Sequence, residues 1–390
     1  MSNFVFNTTP SIRQIWGGAG KLAEQIKDLS ISPDQKAILF VTDPGIMLLG
    51  LADEAITNLK MNGYEVVLYD QVEPDPKALT VLDAVQIAKR ARCSCVIGFG
   101  GGSSMDVAKM IALLAVSDQP LDEMYGVNQA TGSRLPLVLI PTTAGTGSEV
   151  TAVSILTTGT EEKKGVVSPI ILPDIALLDA ELTLGLPAHI TAATGVDAMV
   201  HAIEAFISKS ANNNPISKML AKQALDLLGA NIRTAAANGS NREARENMLL
   251  GSMLAGQAFA NSPVAAVHAL AYPVGSLFHV PHGLSNALVL KEVMRFNAPE
   301  CASEYAELAP HVFAEIDRSK NEKDVTNDFI ERLGKLNLDL GLKAGLQHVG
   351  ISQSDVSKLS DDAMKQTRLL VNNPRELTRD DAVQIYLASL

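Results

Sequence analysis

The chain has 390 residues, 47% hydrophobic and 19% charged, a length and balance that suit about two compact domains. Its formal net charge is −11, with lysine and arginine gathered into no block, which argues against a nucleic-acid-binding or anionic-membrane surface. Three cysteines (Cys93, Cys95 and Cys301) make no disulfide framework. The opening Met-Ser-Asn-Phe-Val-Phe has no secretory pattern, and no uninterrupted apolar run approaches the ~20 residues of a membrane span, so a reducing cytoplasm is the expected location.

The first 185 residues alternate between two periodicities. A short strand is expected at 11–16. The apolar run 37–42 reads as a buried strand ending in Asp43-Pro44-Gly45; 52–62 has helical spacing and stops at Gly63; 65–69 is the next strand; 76–92 is a helix with Pro near its start. A third strand, 95–99, runs directly into Gly100-Gly101-Gly102, followed by a helix over 104–115 and a fourth strand over 137–140. Strand and helix in this rhythm imply parallel pairing with crossover helices. A hairpin is expected at 155–167. Beyond Pro187 helical spacing takes over, at 189–208, 215–237, 242–261 and 263–275 and in further segments to the end. The expectation is an α/β dinucleotide-binding domain with a parallel sheet over 1–184 and an all-α metal-binding domain over 185–390.

Gly100-Gly101-Gly102-Ser103-Ser104-Met105-Asp106 stands between a strand and a helix. Glycines allow close backbone approach, and the free N–H groups and positive dipole end of the helix suit a pyrophosphate. The pattern is neither the dinucleotide fingerprint nor a P-loop, and a turn capped by Ser103 or Ser104 is the alternative. The loop Pro141-Thr142-Thr143-Ala144-Gly145-Thr146-Gly147-Ser148-Glu149 carries hydroxyls and glycines past a strand end, where open parallel sheets bind ligands; it also reads as a polar connection. Asp43 could hold a ribose hydroxyl and repel a 2′-phosphate, favouring NAD over NADP, or simply start a turn.

Asp197 and His201 stand four apart in a helical run, so both side chains share one face. His268 and His282 lie further along the same half. One carboxylate and three imidazoles suit Fe²⁺ or Zn²⁺, although a single histidine in an apolar helix is more often a core residue.

These stretches, with Leu182-Thr183-Leu184-Gly185-Leu186-Pro187 and the segment 191–204, resemble the iron-containing (group III) alcohol dehydrogenases over nearly the whole length. The resemblance implies a dehydroquinate synthase-like architecture and Asp197, His201, His268 and His282 as metal ligands. It implies Gly100, Gly101, Gly102 and Ser103 as the pyrophosphate loop and Asp43 at the adenosine ribose. Thr142, Thr143 and Thr146 would line the cofactor path, Lys163 and Leu184 would make further cofactor contacts, and Glu73 and Pro74 would fall near the adenine. One departure matters: many relatives carry a second histidine where this chain has Tyr272, a hydroxyl with an ordinary pKa of about 10 that could serve the proton path or narrow the pocket. Phe259, Tyr272 and Phe278 suggest some apolar lining.

The reading is therefore an NAD-linked, metal-dependent dehydrogenase of primary alcohols and aldehydes, with NAD and Fe²⁺ (or Zn²⁺) as cofactors. A small-molecule substrate and a homodimer are expected, with neither nucleic acid nor membrane as partner. A polyol, lactaldehyde or hydroxy-acid oxidoreductase on the same scaffold stays open, as does a metal-dependent lyase acting on a phosphorylated compound.

Overall fold

The computed structural model describes residues 3–31, 36–159 and 162–390. The chain forms two compact units. One comprises Asn7–Thr143 and Gly147–Leu184; the other comprises the described residues up to Phe6, Ala144–Thr146 and Gly185–Leu390.

The first unit is built on a six-stranded, all-parallel sheet. Its strands are β1 (Ser11–Gln14), β2 (Ala37–Val41), β3 (Glu65–Tyr69), β4 (Cys95–Gly100), β6 (Leu137–Pro141) and β9 (Ile175–Leu178), in the order β1-β9-β6-β4-β2-β3. The continuous apolar runs follow from burial on both faces. Alternate residues divide between two cores: Leu39, Val41, Val96, Leu137 and Leu139 on one side, and Ile38, Phe40, Ile97, Phe99, Val138 and Ile140 on the other. Between these strands run the helices α1 (Leu22–Ile26), α2 (Pro44–Leu48), α3 (Asp53–Met61), α4 (Ala78–Arg90), α5 (Gly102–Leu114) and α6 (Leu121–Met124).

From β2 the chain steps outward to β3, then returns to lay β4 on the other flank of β2. That reversal opens a crevice at the carboxyl ends of β2 and β4, the switch point where open α/β sheets bind ligands. Asp43 lies two residues past the end of β2, and Gly100 ends β4 with Gly101 and Gly102 directly after it.

The expected hairpin is β7 (Val153–Thr157) and β8 (Lys163–Val167), antiparallel, with β5 (Gly126–Val127) added parallel to β8; positions 160 and 161 of that expectation lie outside the described residues. The sequence reading differs at two points. Asp43-Pro44-Gly45 starts a short helix, α2, whose N-terminus Asp43 caps by accepting from the Ile46 N–H at 3.0 Å. And α5 begins at Gly102, so Gly101 is its N-cap and neither Ser103 nor Ser104 caps it.

Among its described residues the regular elements of the second unit are all helices: α7 (Ala188–Ile207), α8 (Pro215–Ala237), α9 (Arg242–Asn261), α10 (Ala266–Phe278), α11 (His282–Val312), α12 (Glu322–Asp339), α13 (Val356–Ala363), α14 (Thr367–Leu370) and α15 (Arg379–Ala388), with short 3₁₀ turns. Among the described residues α7 alone is long and apolar enough to cross a membrane, but 89% of its most apolar window is buried inside the protein, so it is the core helix of this unit. It packs against α8, α9 and α11, and every residue from Gly195 to Ile207 is buried.

A buried polar knot ties α5 to the segment after β6. Lys109 is fully buried; its ammonium donates to Ser148 Oγ and the Val153 carbonyl (2.7 Å each) and reaches Asp106 Oδ1 and Thr151 Oγ1 (3.2 Å each). Asp106 also accepts from Ser148 Oγ (2.6 Å) and the Ile155 N–H (2.9 Å). Beside this knot Glu149 is buried with Oε1 unpartnered, and burial pushes its carboxyl up to about 7 despite the attraction of Lys109. The folded protein therefore holds this proton well above the ordinary value of 4.5. Its stabilising contribution is complete below that value and is lost as pH rises toward 7. Glu149→Gln, which cannot ionise, should flatten this part of the stability profile; urea unfolding of the two proteins at several pH values between those limits checks it, and parallel profiles would refute it.

Candidate metal centre

Asp197 and His201 lie one turn apart on α7, His268 in the first turn of α10 and His282 at the first position of α11. The structure brings all four together: one potential ligand atom from each lies within 4.8 Å of every other. Asp197 Oδ1 is 4.0 Å from His201 Nε2, 3.8 Å from His268 Nε2 and 3.7 Å from His282 Nε2. These separations are too long for hydrogen bonds. Two donors each about 2.1 Å from one cation stand about 3.4 Å apart at a tetrahedral angle, so the observed spacings suit a shared cation at somewhat wider angles.

Protonation follows from the outer partners. His268 Nδ1 lies 2.7 Å from Glu204 Oε2, whose other oxygen accepts from the Val267 N–H at 2.6 Å; His201 Nδ1 lies 3.2 Å from the Gly145 carbonyl. Oxygens at both Nδ1 positions place the proton there and turn the Nε2 lone pairs toward Asp197. Burial, and next the neighbouring His268, drive the His201 pKa well below its ordinary value against the pull of the Gly145 carbonyl, which leaves the neutral imidazole that metal binding requires. Asp197, His201 and His268 are almost wholly buried, whereas the His282 side chain is 38% exposed and gives the cluster its open side.

Packing holds these positions. The His201 ring stacks on Phe259 with centroids 4.3 Å apart. At Gly283 an added Cβ would fall 2.3 Å from the Ala193 carbonyl oxygen, so only glycine lets the first turn of α11 lie against α7. Tyr272 borders the cluster, its ring centroid 5.9 Å from that of His282 and 6.5 Å from that of His268. The sequence reading missed three contributors: Glu204, Asn286 and the Gly145 carbonyl. Glu204 shares the Asp197 and His201 face of α7, three residues after the histidine, and Asn286 stands four after His282, so helical spacing was the available signal.

In the other unit, Gly100 has φ +149°, and a Cβ there would lie 2.7 Å from Ser104 Oγ and 3.3 Å from Asp43 Oδ2. A Cβ on Gly101 would meet nothing closer than Thr143 Oγ1 at 3.9 Å, so the backbone N–H groups opening α5 face an uncrowded cradle fit for phosphate. Ser104 Oγ is 3.5 Å from Asp43 Oδ2, and the Thr142 N–H donates to the Gly100 carbonyl at 2.9 Å, which draws both loops to one end of the sheet. Lys163 is engaged by Asp75 at 2.6 Å, and Leu184 closes a 3₁₀ turn. His189, His279 and His348 are exposed, and His311 pairs with Asp226 at 2.9 Å. The three thiols are free and buried, with Cys93 raised to about 11.

Residues 10–180 match the model of the iron-containing alcohol dehydrogenases, and residues 191–390 match that of the C-terminal part of the Fe-containing alcohol dehydrogenase family. The chain is 40% identical over 380 residues to a long-chain-alcohol dehydrogenase of Geobacillus thermodenitrificans, covering 96% of this chain and 93% of the relative. A crystal structure of a 1,3-propanediol oxidoreductase superposes with a TM-score of 0.94 at 33% identity over the full length of both chains. The sulfoacetaldehyde reductase of Bifidobacterium kashiwanohense, solved with NAD⁺, superposes with a TM-score of 0.86 at 29% identity, covering 99% and 98% of the chains.

The Glu204–His268 contact makes a prediction. Glu204→Gln retains the shape but removes the carboxylate that orients the imidazole. Divalent-metal affinity should fall about 10- to 100-fold, read by chelator competition, and an unchanged affinity would refute the assigned role.

Proposed function

The chain belongs to the iron-containing alcohol dehydrogenase family, and from that premise we propose that Asp197, His201, His268 and His282 hold the iron. The protein is an NAD-dependent, iron-containing alcohol dehydrogenase interconverting primary alcohols and aldehydes. The observation that carries the residue assignment is the convergence of one carboxylate and three imidazoles about a single point. When bound, iron supplies a Lewis acid toward the alcohol oxygen and NAD supplies the acceptor of the carbon-bound hydride.

The remaining roles belong to the chain itself. Glu204 and the Gly145 carbonyl fix two imidazoles in the ligating tautomer. Gly100, Gly101, Gly102 and Ser103, with the amino end of α5, bind the pyrophosphate. Asp43 caps α2 with one oxygen and turns the other toward the phosphate loop; we assign that second oxygen to the adenosine ribose, where its charge disfavours a 2′-phosphate. Thr142, Thr143 and Thr146 line the cofactor path, and Lys163 and Leu184 complete it. Tyr272 narrows the open side beside His282 and hydrogen-bonds along the proton path.

The same proposal places the dinucleotide in 1–184 and the metal in 185–390, and takes the working form to be a cytoplasmic homodimer. The names of the relatives support terminal alcohols and their aldehydes as the substrate class.

Two measurements test this reading. His201→Ala should lose bound iron and reduced-nicotinamide production together across a panel of primary alcohols; a metal-free variant with full turnover would sink it. Asp43→Ser should raise kcat/KM with NADP⁺ relative to NAD⁺ by about tenfold or more, as expected when a like-charge contact is removed. An unchanged ratio would move the ribose contact elsewhere.

A further inference from the structure

Asn286 is fully buried on α11, beside the four converging side chains. Its amide Nδ2 lies 2.6 Å from Asp197 Oδ1, 3.2 Å from His268 Nε2 and 3.4 Å from His282 Nε2. It thus stands over three of the four atoms that converge on the cation position. The arrangement is chemically specific. Oδ1 of Asp197 has lone pairs for both an amide proton and a cation, whereas each imidazole Nε2 has a single lone pair, which a bound cation takes. Only a donor fits there, which places Nδ2 inward and Oδ1 outward. The outward Oδ1 is buried without a hydrogen-bond partner. A buried carbonyl oxygen left unsatisfied is unfavourable, so the hydrogen bond to Asp197 is what holds the amide in place.

We propose that Asn286 is a positioning residue of the metal centre. Its amide borders the face formed by Asp197 Oδ1, His268 Nε2 and His282 Nε2, holds Oδ1 toward the three imidazoles through the Nδ2 hydrogen bond, and leaves the exchangeable coordination position to the faces it does not border. This rests on the iron-site reading above. An amide nitrogen is no ligand for a divalent cation, because its lone pair is delocalised into the carbonyl. A metal-loaded site therefore gains no additional donor from Asn286, whereas a carboxylate in its place would supply one.

The test compares cobalt(II)-loaded wild type, Asn286→Asp and Asn286→Ala by chelator competition and by the visible d–d bands, with His201→Ala as the ligand-loss control. Asn286→Asp is nearly isosteric; it should tighten cobalt(II) binding at least about tenfold and weaken the d–d bands as an added oxygen donor raises the coordination number. Asn286→Ala should loosen binding about 10- to 100-fold, as loss of an outer partner does elsewhere. Should the alanine variant fail to fold, the aspartate variant decides alone. If wild type binds cobalt(II) and Asn286→Asp matches it in both affinity and spectrum, the Asn286 inference is overturned while the metal site stands. If wild type binds no better than His201→Ala, both are overturned.

Discussion

A carboxylate buried to 2% exposure opposite three imidazole nitrogens is the constraint from which the helical unit is best understood. Taking an ion out of water costs several kcal/mol unless compensating charge or hydrogen bonds surround it. Around Asp197 the protein supplies one amide hydrogen bond and a set of lone pairs, an arrangement that is unfavourable by itself and favourable about a divalent cation. The same logic extends outward. Glu204, also buried, is satisfied by an imidazole and a backbone N–H, so a second carboxyl group inside the bundle is tolerated and fixes the His268 ring.

That constraint explains features of packing that hydrophobicity alone leaves arbitrary. Helix α7 is apolar nearly all round and could pack in several rotations; the face bearing Asp197, His201 and Glu204 must meet α10 and α11 for the polar atoms to be paired. Gly283 serves the same end, since a side chain there would strike the Ala193 carbonyl and carry His282 away from the other three donors. Glycine lowers helix propensity by about 1 kcal/mol, a modest cost in the first turn of a helix against loss of a donor.

How much of this was legible before any coordinates depended on range. Asp197 and His201 were readable because four residues on a helix fix a spatial relation. The parallel sheet was readable because buried strands and crossover helices have different periods. His268 and His282 were joined to that pair by the ligand chemistry of the four residues and by the resemblance, because nothing in their spacing says how α10 and α11 cross α7. Glu204 was in plain view within the same segment, yet its partner lies 64 residues away and its role exists only once the fold is formed. The start of α5 was read two residues late for a local reason: serines are better helix caps than glycine by propensity, but here the turn needs φ +149° at Gly100 and the cap falls on Gly101. The placement of β1 beside β9, a pairing across more than 160 residues, has no local signature at all.

The phosphate loop shows the complementary principle. Its glycines serve close approach as well as flexibility: the Cβ missing from Gly100 is the space taken by Ser104 and Asp43. Asp43 in turn is divided between capping α2 and facing Ser104, so one carboxylate both ends a strand and sets the charge beside the loop. Lys109 fastens α5 from behind through hydroxyls of Ser148 and Thr151 and the carboxylate of Asp106, drawing the loop after β6 onto the same helix. A fully buried ammonium is unfavourable unless each proton has an acceptor, and here it has four. The two units therefore reach precision by one route. Each places an ionisable side chain where burial would be unfavourable without particular partners, so the polar atoms, more than the apolar ones, select a single arrangement from the many that the hydrophobic pattern permits.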